Sequence, residues 1–196
     1  MKLALIKYNA GNVQSVSFAL ERLGINFSIT DDPEELKSAD KVLFPGVGEA
    51  STTMRFLKDR KLDQLIPSLK QPVLGVCLGM QLMCKFSQEN DTDCLGIFDE
   101  TVTRFVPSPT EKVPHMGWNN LKIMESWLTP KLEDKFVYFV HSYYVPENTY
   151  TSAITEYTVP FSAAMHRDNF YAVQFHPEKS AEAGELVLKS FLNVRS

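Results

Sequence analysis

The first half of the chain carries short apolar runs separated by segments with helical spacing. Residues 3–7 (LALIK), 26–30 and 41–44 are runs of strand length that predict strands, and residues 12–23 place apolar side chains at intervals of three and four. A fourth run, at 72–76, continues this order. Strands that alternate with helices over short connections form parallel sheets covered on both faces. We therefore expect an α/β fold with a mostly parallel central sheet flanked by helices, and functional loops at the carboxyl ends of its strands.

The second half of the chain has shorter segments of alternating character. Residues 101–106 and 136–145 predict strands, and residues 162–167 and 170–176 predict a hairpin. Because a hairpin reverses the chain direction, we expect some antiparallel strands in the C-terminal half. Apolar residues at helical spacing then close the chain, at Ala183, Leu186, Val187 and Phe191.

The composition predicts one folded domain and argues against metal and nucleic acid as ligands, and we expect no cofactor. The 196 residues are 44% hydrophobic and no linker divides them, so we expect residues 1–196 to form a single domain. The net charge of −4 argues against a basic surface for nucleic acid, and the three cysteines lack metal-ligand spacing. The amino-terminal apolar run is too short for a signal peptide, and no run reaches membrane-spanning length. We expect a cytoplasmic protein.

Residues 72–84 (PVLGVCLGMQLMC) change from a strand pattern to a helical pattern around a cysteine. Small residues lie two positions before and after Cys77, as in the nucleophile elbow, where the reactive side chain sits on a sharp turn. A helix N-terminus beside the sulfur favours the thiolate, which is the attacking form. In this geometry the N–H of Leu78 points to a developing oxyanion. Alternatively, Cys77 is a small buried hydrophobic residue.

A histidine and a glutamate near the end of the chain could complete a triad with Cys77. Residues 170–178 read FYAVQFHPE, and strand alternation places His176 and Glu178 on one face. A histidine can take the proton of a cysteine, and a carboxylate beside the histidine orients its ring and stabilises the imidazolium. Each residue also has an ordinary interpretation, as a core histidine and a solvated charge. The combination favours catalysis more strongly than either part.

This combination resembles the class I glutamine amidotransferases over nearly the full chain. The resemblance implies a flavodoxin-like fold and a triad of Cys77, His176 and Glu178, in which the cysteine attacks the side-chain amide of glutamine. It also assigns four residues to substrate binding, namely Gln81, Glu89, Ser142 and Tyr143. Without the resemblance, Gln81 and Glu89 are equally well interpreted as helix surface.

Four further stretches resemble the glutaminase subunits of imidazole glycerol phosphate synthases. They are residues 8–16 (YNAGNVQSV), 45–48 (PGVG), 114–119 (PHMGWN) and 140–144 (VHSYY). In that family the PGVG loop supplies a second oxyanion donor, which implies the N–H of Val47, with Gly46 and Gly48 permitting the peptide orientation and lying at the substrate. By itself the loop could also be an ordinary glycine turn.

The same resemblance implies a partner. In that family a cyclase with a (β/α)8 barrel fold receives the ammonia and makes imidazole glycerol phosphate and a purine precursor in histidine biosynthesis. The residues implied to face this partner are Asn12, Pro114, His115, Met116, Gly117, Trp118, Asn119 and Lys179. An exposed Met and Trp pair is typical of an interface anchor, although PHMGWN could also be a buried aromatic turn.

Three other interpretations stay open. One is a cysteine hydrolase of similar sheet topology, but such enzymes usually carry histidine directly after the elbow cysteine, where this chain has Leu78. Another is the glutaminase component of anthranilate or aminodeoxychorismate synthase, which should lack PHMGWN. The third is a catalytically inactive subunit that only supports its partner.

Overall fold

The computed structural model describes residues 1–8, 13–124 and 127–194. The helices of these ranges are α1 (Val13–Arg22), α2 (Pro33–Ser38), α3 (Ala50–Asp59), α4 (Leu62–Ser68), α5 (Leu78–Met83) and α6 (Ala181–Asn193). The strands are β1 (Leu3–Ile6), β2 (Phe27–Thr30), β3 (Lys41–Phe44), β4 (Val73–Val76), β5 (Cys84–Ser87), β6 (Thr92–Asp93), β7 (Phe98–Arg104), β8 (His115–Asn120), β9 (Lys122–Ile123), β10 (Phe136–His141), β11 (Tyr143–Tyr144), β12 (Thr151–Tyr157), β13 (Val159–Arg167) and β14 (Phe170–Val173).

The central sheet has the strand order β2-β1-β3-β4-β14-β13-β12-β9. The first five strands of this order, which end with β14, run parallel to one another. The last three, β13, β12 and β9, continue the sheet with antiparallel pairing. The predicted α/β fold with a mixed sheet is thus confirmed. Gly75 of β4 pairs with Phe44 of β3 and Ala172 of β14, so three parallel strands end side by side.

The inner strands β1, β3 and β4 of the central sheet are buried on both faces, which explains why they are almost continuously apolar. Alternate residues of β1 point to opposite faces: Ala4 and Ile6 join one core, and Leu3 and Leu5 join the other. The first core packs under α2, α3, α4 and α5, and the second packs under α1 and α6. Helices on both sides therefore hold the strand ends of the sheet in a fixed register.

Two smaller sheets lie beside the central one. One has the order β11-β7-β5-β6, and the other is the antiparallel pair of β8 and β10. The segments predicted at 101–106 and 136–145 are strands in the structure, as β7 and as β10 with β11. Among the helices of the described residues, none combines the length and apolar character needed to span a membrane.

Candidate active site

Strand β4 places Cys77 on a sharp turn that leads into α5. The backbone angles of Cys77 are φ 52° and ψ −108°, a conformation that costs a non-glycine residue about 1–3 kcal/mol. Gly79 permits the turn, because a Cβ at this position would lie 2.1 Å from the carbonyl oxygen of Phe44. The predicted strand-to-helix turn is present, and it holds the sulfur at the carboxyl edge of the sheet.

His176 and Glu178 reach the site through a local structure different from the one predicted. Strand β14 ends at Val173, and a 3₁₀ turn spans Pro177–Lys179. The expectation that strand alternation places both side chains on one face is therefore wrong, because His176 lies beyond the end of β14 and Glu178 lies in the 3₁₀ turn. The two side chains nevertheless meet: His176 Nδ1 lies 2.7 Å from Glu178 Oε1, and neither side chain is more than 1% exposed.

The surroundings of His176 favour its charged form. Burial would lower the pKa of the imidazole, but the negative charge of Cys77, a hydrogen bond to Cys77 and the interaction with Glu178 together raise it to about 10. Burial raises the pKa of the nearby Tyr8 hydroxyl, and the charge of Cys77 raises it further, so this hydroxyl stays protonated and donates to the Pro45 carbonyl. At neutral pH the site therefore pairs an imidazolium with the sulfur, which favours the thiolate.

One main-chain donor of the proposed oxyanion site is occupied. The N–H of Leu78 donates to the carbonyl oxygen of Gly46 at 3.3 Å. Because the N–H and C=O groups of a trans peptide point in opposite directions, the N–H of Val47 is directed away from this spot. Gly46 has no space for a side chain, since a Cβ there would lie 2.5 Å from the nitrogen of Gly79. In this structure the oxyanion site is therefore incomplete.

A cavity of about 340 Å³ opens over Cys77 and His176. Seven of the residues assigned to the substrate or the oxyanion line it, namely Val47, Gly48, Leu78, Gln81, Glu89, Ser142 and Tyr143. Gly46, also in the PGVG loop, is buried and does not line the cavity. Three lining residues, Pro114, Val140 and His141, were not among the predicted substrate contacts.

Glu89 lies on the turn after β5 and not on a helix surface. Its Oε2 atom accepts a hydrogen bond from the N–H of Ala50 at 2.8 Å, which holds the side chain at the cavity wall. Burial raises the pKa of this carboxyl above its usual value, while the bond from Ala50 acts in the opposite direction. A carboxylate in this place can pair with the α-ammonium group of an amino acid.

Comparison with known families agrees with this geometry. The family model described as glutamine amidotransferase class-I matches residues 5–194. The chain belongs to the class I glutamine amidotransferases. A relative named imidazole glycerol phosphate synthase subunit HisH, from Bacteroides fragilis (strain YCH46), is 62% identical over 196 residues, which is 99% of this chain and 100% of the relative. The protein of the same name from Haemophilus influenzae (strain ATCC 51907 / DSM 11121 / KW20 / Rd) is 43% identical over 194 residues, covering 98% of this chain and 97% of the relative.

Solved structures share the fold of this class I glutamine amidotransferase. A putative GMP synthase component from Thermoplasma acidophilum superposes with a TM-score of 0.75 at 20% identity, over 98% of this chain and 92% of that chain. A structure described as glutamine amidotransferase has a TM-score of 0.74 at 17% identity, over 96% of both chains. At these identities the likeness concerns the fold alone.

The amidotransferase site contains a buried glutamine that the sequence analysis did not identify. Gln174 lies in the run FYAVQFHPE, where a polar residue among apolar neighbours was the available signal. Its Nε2 atom donates to Cys77 Sγ at 3.8 Å, and its Oε1 atom accepts from Gln81 Nε2 at 2.9 Å. The side chain is 0% exposed.

Two buried histidines lie together at the cavity of this amidotransferase, and His141 is the one that lines it. His115 Nδ1 lies 3.1 Å from His141 Nε2, and His141 Nδ1 donates to the carbonyl of Tyr143 at 2.7 Å. His115 is 3% exposed and stacks between Phe139 and Tyr157. The expectation that its side chain faces a partner is therefore wrong, because strand alternation turns it to the interior.

The opposite face of β8 and β10 is apolar and exposed. Met116, Trp118 and Phe136 are 63%, 52% and 58% exposed, and Trp118 packs edge-on against Tyr138 with ring centroids 6.0 Å apart. Lys179 reaches the same face, with Nζ 5.8 Å from the centre of the Tyr138 ring. We call these five residues the outer face.

The other residues assigned to the partner lie at the edges of the outer face or elsewhere. Pro114 is exposed and lines the cavity, and Gly117 is half-buried. The side-chain amide of Asn119 donates to the carbonyl of Glu156 at 2.9 Å, so this bond holds it in the protein. Asn12 lies outside the described residues.

Proposed function

We propose that the chain is the glutaminase subunit of an imidazole glycerol phosphate synthase, which hydrolyses glutamine and passes the ammonia to a cyclase subunit. The single observation that carries the chemistry is the buried triad of Cys77, His176 and Glu178 at the cavity. The relatives named imidazole glycerol phosphate synthase subunit HisH, at up to 62% identity over nearly the full chain, support the choice of synthase.

The geometry supports an acyl-transfer mechanism in two halves. The Cys77 thiolate attacks the side-chain carbonyl carbon of glutamine, and the carbonyl oxygen becomes an oxyanion. His176 gives its proton to the departing nitrogen, which leaves as ammonia, and a glutamyl thioester stays on the sulfur. His176 then takes a proton from water, whose oxygen attacks the thioester and releases glutamate. Glu178 keeps the ring of His176 in place and stabilises the imidazolium in both halves.

The substrate residues fit an amino acid that enters with its side chain first. Glu89 offers a carboxylate to the α-ammonium group, and Gln81, Ser142 and Tyr143 line the same cavity as Glu89 and the sulfur. The N–H groups of Val47 and Leu78 would bind the oxyanion once the peptide between Gly46 and Val47 turns over. Gly48, with a φ of 124°, gives the loop the conformational freedom that such a rotation needs.

We propose that the cyclase subunit, which we expect to be a (β/α)8 barrel, binds to the outer face. Val140 pairs with Met116 in the sheet and also lines the cavity, so the face continues into the wall of the active site. An apolar surface of Met, Trp, Phe and Tyr rimmed by a lysine has the composition of an interface anchor. Ammonia that leaves the cavity on this side would enter the partner and not the solvent.

We also propose a single domain and a reducing compartment such as the cytoplasm. Strand β1, near the amino terminus, and β14, near the carboxyl terminus, belong to the same central sheet. Cys77, Cys84 and Cys94 are free thiols, and a cysteine nucleophile has to be kept reduced.

Substitution of the nucleophile tests the proposal. In the complex with the cyclase subunit, Cys77→Ala should abolish synthesis from glutamine and leave synthesis from added ammonium salts intact, because the alanine removes only the ammonia source. Product formation with each nitrogen source is the measurement. Cys94→Ala, which changes a half-buried cysteine away from the cavity wall, is the matched control. Glutamine-dependent turnover in the Cys77→Ala complex would contradict the proposal.

A further inference from the structure

A row of hydrogen bonds links the sulfur of Cys77 to the backbone of β11 through two buried glutamines. Gln174 Nε2 donates to Cys77 Sγ at 3.8 Å, and Gln174 Oε1 accepts from Gln81 Nε2 at 2.9 Å. Gln81 Nε2 donates a second bond to the carbonyl of Tyr143 at 2.9 Å. Gln174 is 0% exposed and Gln81 is 5% exposed. Buried polar groups of this kind keep one arrangement, because turning an amide over would leave its atoms without partners.

The carbonyl of Tyr143 determines the direction of the row. A carbonyl oxygen can only accept, so Gln81 presents Nε2 to it, and the second N–H of that amide then faces Gln174. Gln174 consequently turns Oε1 toward Gln81, and its own Nε2 faces the sulfur. His141 donates to the same carbonyl from Nδ1 at 2.7 Å, so two donors hold the oxygen that orients the row.

The backbone also fixes Gln174 beside the nucleophile. The N–H of Cys77 donates to the carbonyl of Val173 at 2.8 Å, and the N–H of Gln174 donates to the carbonyl of Ala163 at 2.8 Å. Cys77 and Gln174 therefore follow directly on two paired parallel strands, β4 and β14. The main chain of Gln174 therefore stays beside Cys77, and the hydrogen bond to Gln81 holds its side chain.

We infer that Gln174 is a positioning residue of the active site, whose N–H stabilises the Cys77 thiolate and whose Oε1 holds the Gln81 amide at the cavity wall. A hydrogen bond to the charged sulfur is stronger than one to the neutral thiol, so it shifts the cysteine toward the form that attacks. This inference rests on the proposed function, because it concerns the same cysteine.

Other titratable groups also face the sulfur and have to be kept constant in a test. His176 lies beside Cys77 with Glu178 behind it, Tyr8 is close enough for its pKa to respond to the charge of Cys77, and His141 interacts with His176. A substitution at Gln174 leaves these four side chains in the protein. A change in the apparent titration of the Cys77–His176 pair then reports the loss of the Gln174 hydrogen bond.

The test measures the rate of Cys77 alkylation by iodoacetamide against pH, on the full-length protein and with mass spectrometry of the Cys77 peptide. Gln174→Met keeps the length of the side chain and removes both polar atoms. We expect the midpoint of its pH profile to rise by about one unit, which is a tenfold loss of thiolate below the midpoint. Gln174→Glu should raise the midpoint further, because it places a carboxylate near the sulfur.

Turnover of glutamine in the complex gives a second measurement that a purely structural role would not reproduce. Gln174→Met should raise KM as well as lower kcat, because Gln81 loses its acceptor. Gln174→Glu keeps an acceptor for Gln81, so kcat should fall roughly tenfold or more with a smaller change in KM. Gln71→Met is the matched control, since Gln71 donates to the Leu36 carbonyl at the other end of β4, and it should leave the midpoint, kcat and KM unchanged.

Midpoints that match wild type in both Gln174 variants would overturn the inference, as would equal shifts in Gln71→Met. If neither Gln174 variant folds, Gln81→Met replaces them, because removing the group that orients Gln174 should also raise the midpoint, and an unchanged midpoint there would overturn the inference. Failure of the proposed function gives a different result. The wild-type complex would then show no glutamine turnover, and this outcome does not depend on the alkylation profiles.

Discussion

His176 connects the two acidic groups of the site, the Cys77 thiol and the Glu178 carboxyl. Its raised pKa arises from these two neighbours, which together outweigh the effect of burial. A histidine that is already protonated can donate to the leaving nitrogen at once, so the resting site is prepared for the first half of the reaction. The role of Glu178 follows directly, because without it the buried imidazolium would lose its second partner.

Replacing Glu178 by glutamine should separate orientation from substrate binding. Glu178→Gln keeps the shape of the side chain but removes the negative charge, so we expect kcat to fall by about 10²–10⁴-fold with a smaller change in KM. Steady-state kinetics of glutamine hydrolysis in the complex are the measurement. Glu182→Gln, at an exposed glutamate in the first turn of α6, is the control. An unchanged kcat in Glu178→Gln would mean that the carboxylate plays no part in the reaction.

The buried pair His115 and His141 should make the stability of the fold depend on pH. Burial lowers the pKa of His115 to about 4 and that of His141 to about 3, whereas in the unfolded chain both titrate near 6.5. Below pH 6.5 the unfolded state therefore binds more protons, and the free energy of unfolding should fall as the pH decreases toward 4. The slope is at most about 1.4 kcal/mol per pH unit for each histidine.

Urea unfolding between pH 7 and pH 5 measures this slope. His115→Phe keeps a ring between Phe139 and Tyr157 and removes one titrating group, so its free energy of unfolding should depend less on pH than that of wild type. Equal slopes in the two proteins would show that His115 is not the source of the pH dependence.

Two elements, the PGVG loop and the β8–β10 pair, contribute residues to the wall of the cavity. The Gly46 carbonyl occupies the N–H of Leu78, so the loop in this conformation keeps one oxyanion donor bound and turns the other away. The loop residues Val47 and Gly48 line the same cavity as Val140 and His141, which end β10, and Ser142, which follows it. A partner on the outer face could act on the loop across this cavity.

We expect the isolated protein to hydrolyse glutamine slowly. Its kcat should be about 10²–10³-fold lower than that of the complex with liganded cyclase, because one missing oxyanion donor has an effect of this size. KM should change less, since the recovered contact forms mainly in the transition state. Initial rates of glutamate formation with and without the partner and its nucleotide ligand are the measurement. A fully active isolated protein would rule out the loop as a switch and favour a free-standing amidohydrolase.

In the whole molecule, the β8–β10 pair contributes residues both to the interior beside the cavity and to the proposed docking surface. His115 and His141 point inward from β8 and β10, and Met116 and Trp118 point outward from β8, so one element contributes to both regions. The strand order of the central sheet brings the carboxyl ends of β3, β4 and β14 to the same side, where the cavity lies.

Truncation of the outer face should weaken activation by the partner and spare the nucleophile. In Trp118→Ala and Lys179→Ala we expect reduced stimulation of glutaminase activity, and for Trp118→Ala roughly 30-fold weaker binding, as for a central aromatic anchor. Alkylation of Cys77 should proceed as in wild type. Ile29→Ala, which truncates an exposed apolar residue on the edge strand β2, is the control. Equal stimulation in all three variants would exclude this face as the docking surface.

The amino-acid sequence by itself determined the strands of the parallel sheet, the turn at Cys77 and the identity of the H-x-E pair. These features depend on local spacing: a run of apolar residues with two buried faces, small residues around a turn, and residue types that carry one kind of chemistry. The same local patterns predict His176 and Glu178 on a strand, whereas β14 ends at Val173 and the backbone of His176 bonds to Tyr138 of β10.

Only the tertiary structure decided which distant groups meet. Gln174 lies beside Cys77 because β14 pairs with β4, and His115 is buried because β10 and β12 supply the rings on either side of it. The occupied N–H of Leu78 depends on how one peptide of the PGVG loop is turned. Strand order and peptide orientation do not appear in the spacing of side chains along a chain, since they follow from contacts between segments far apart in sequence.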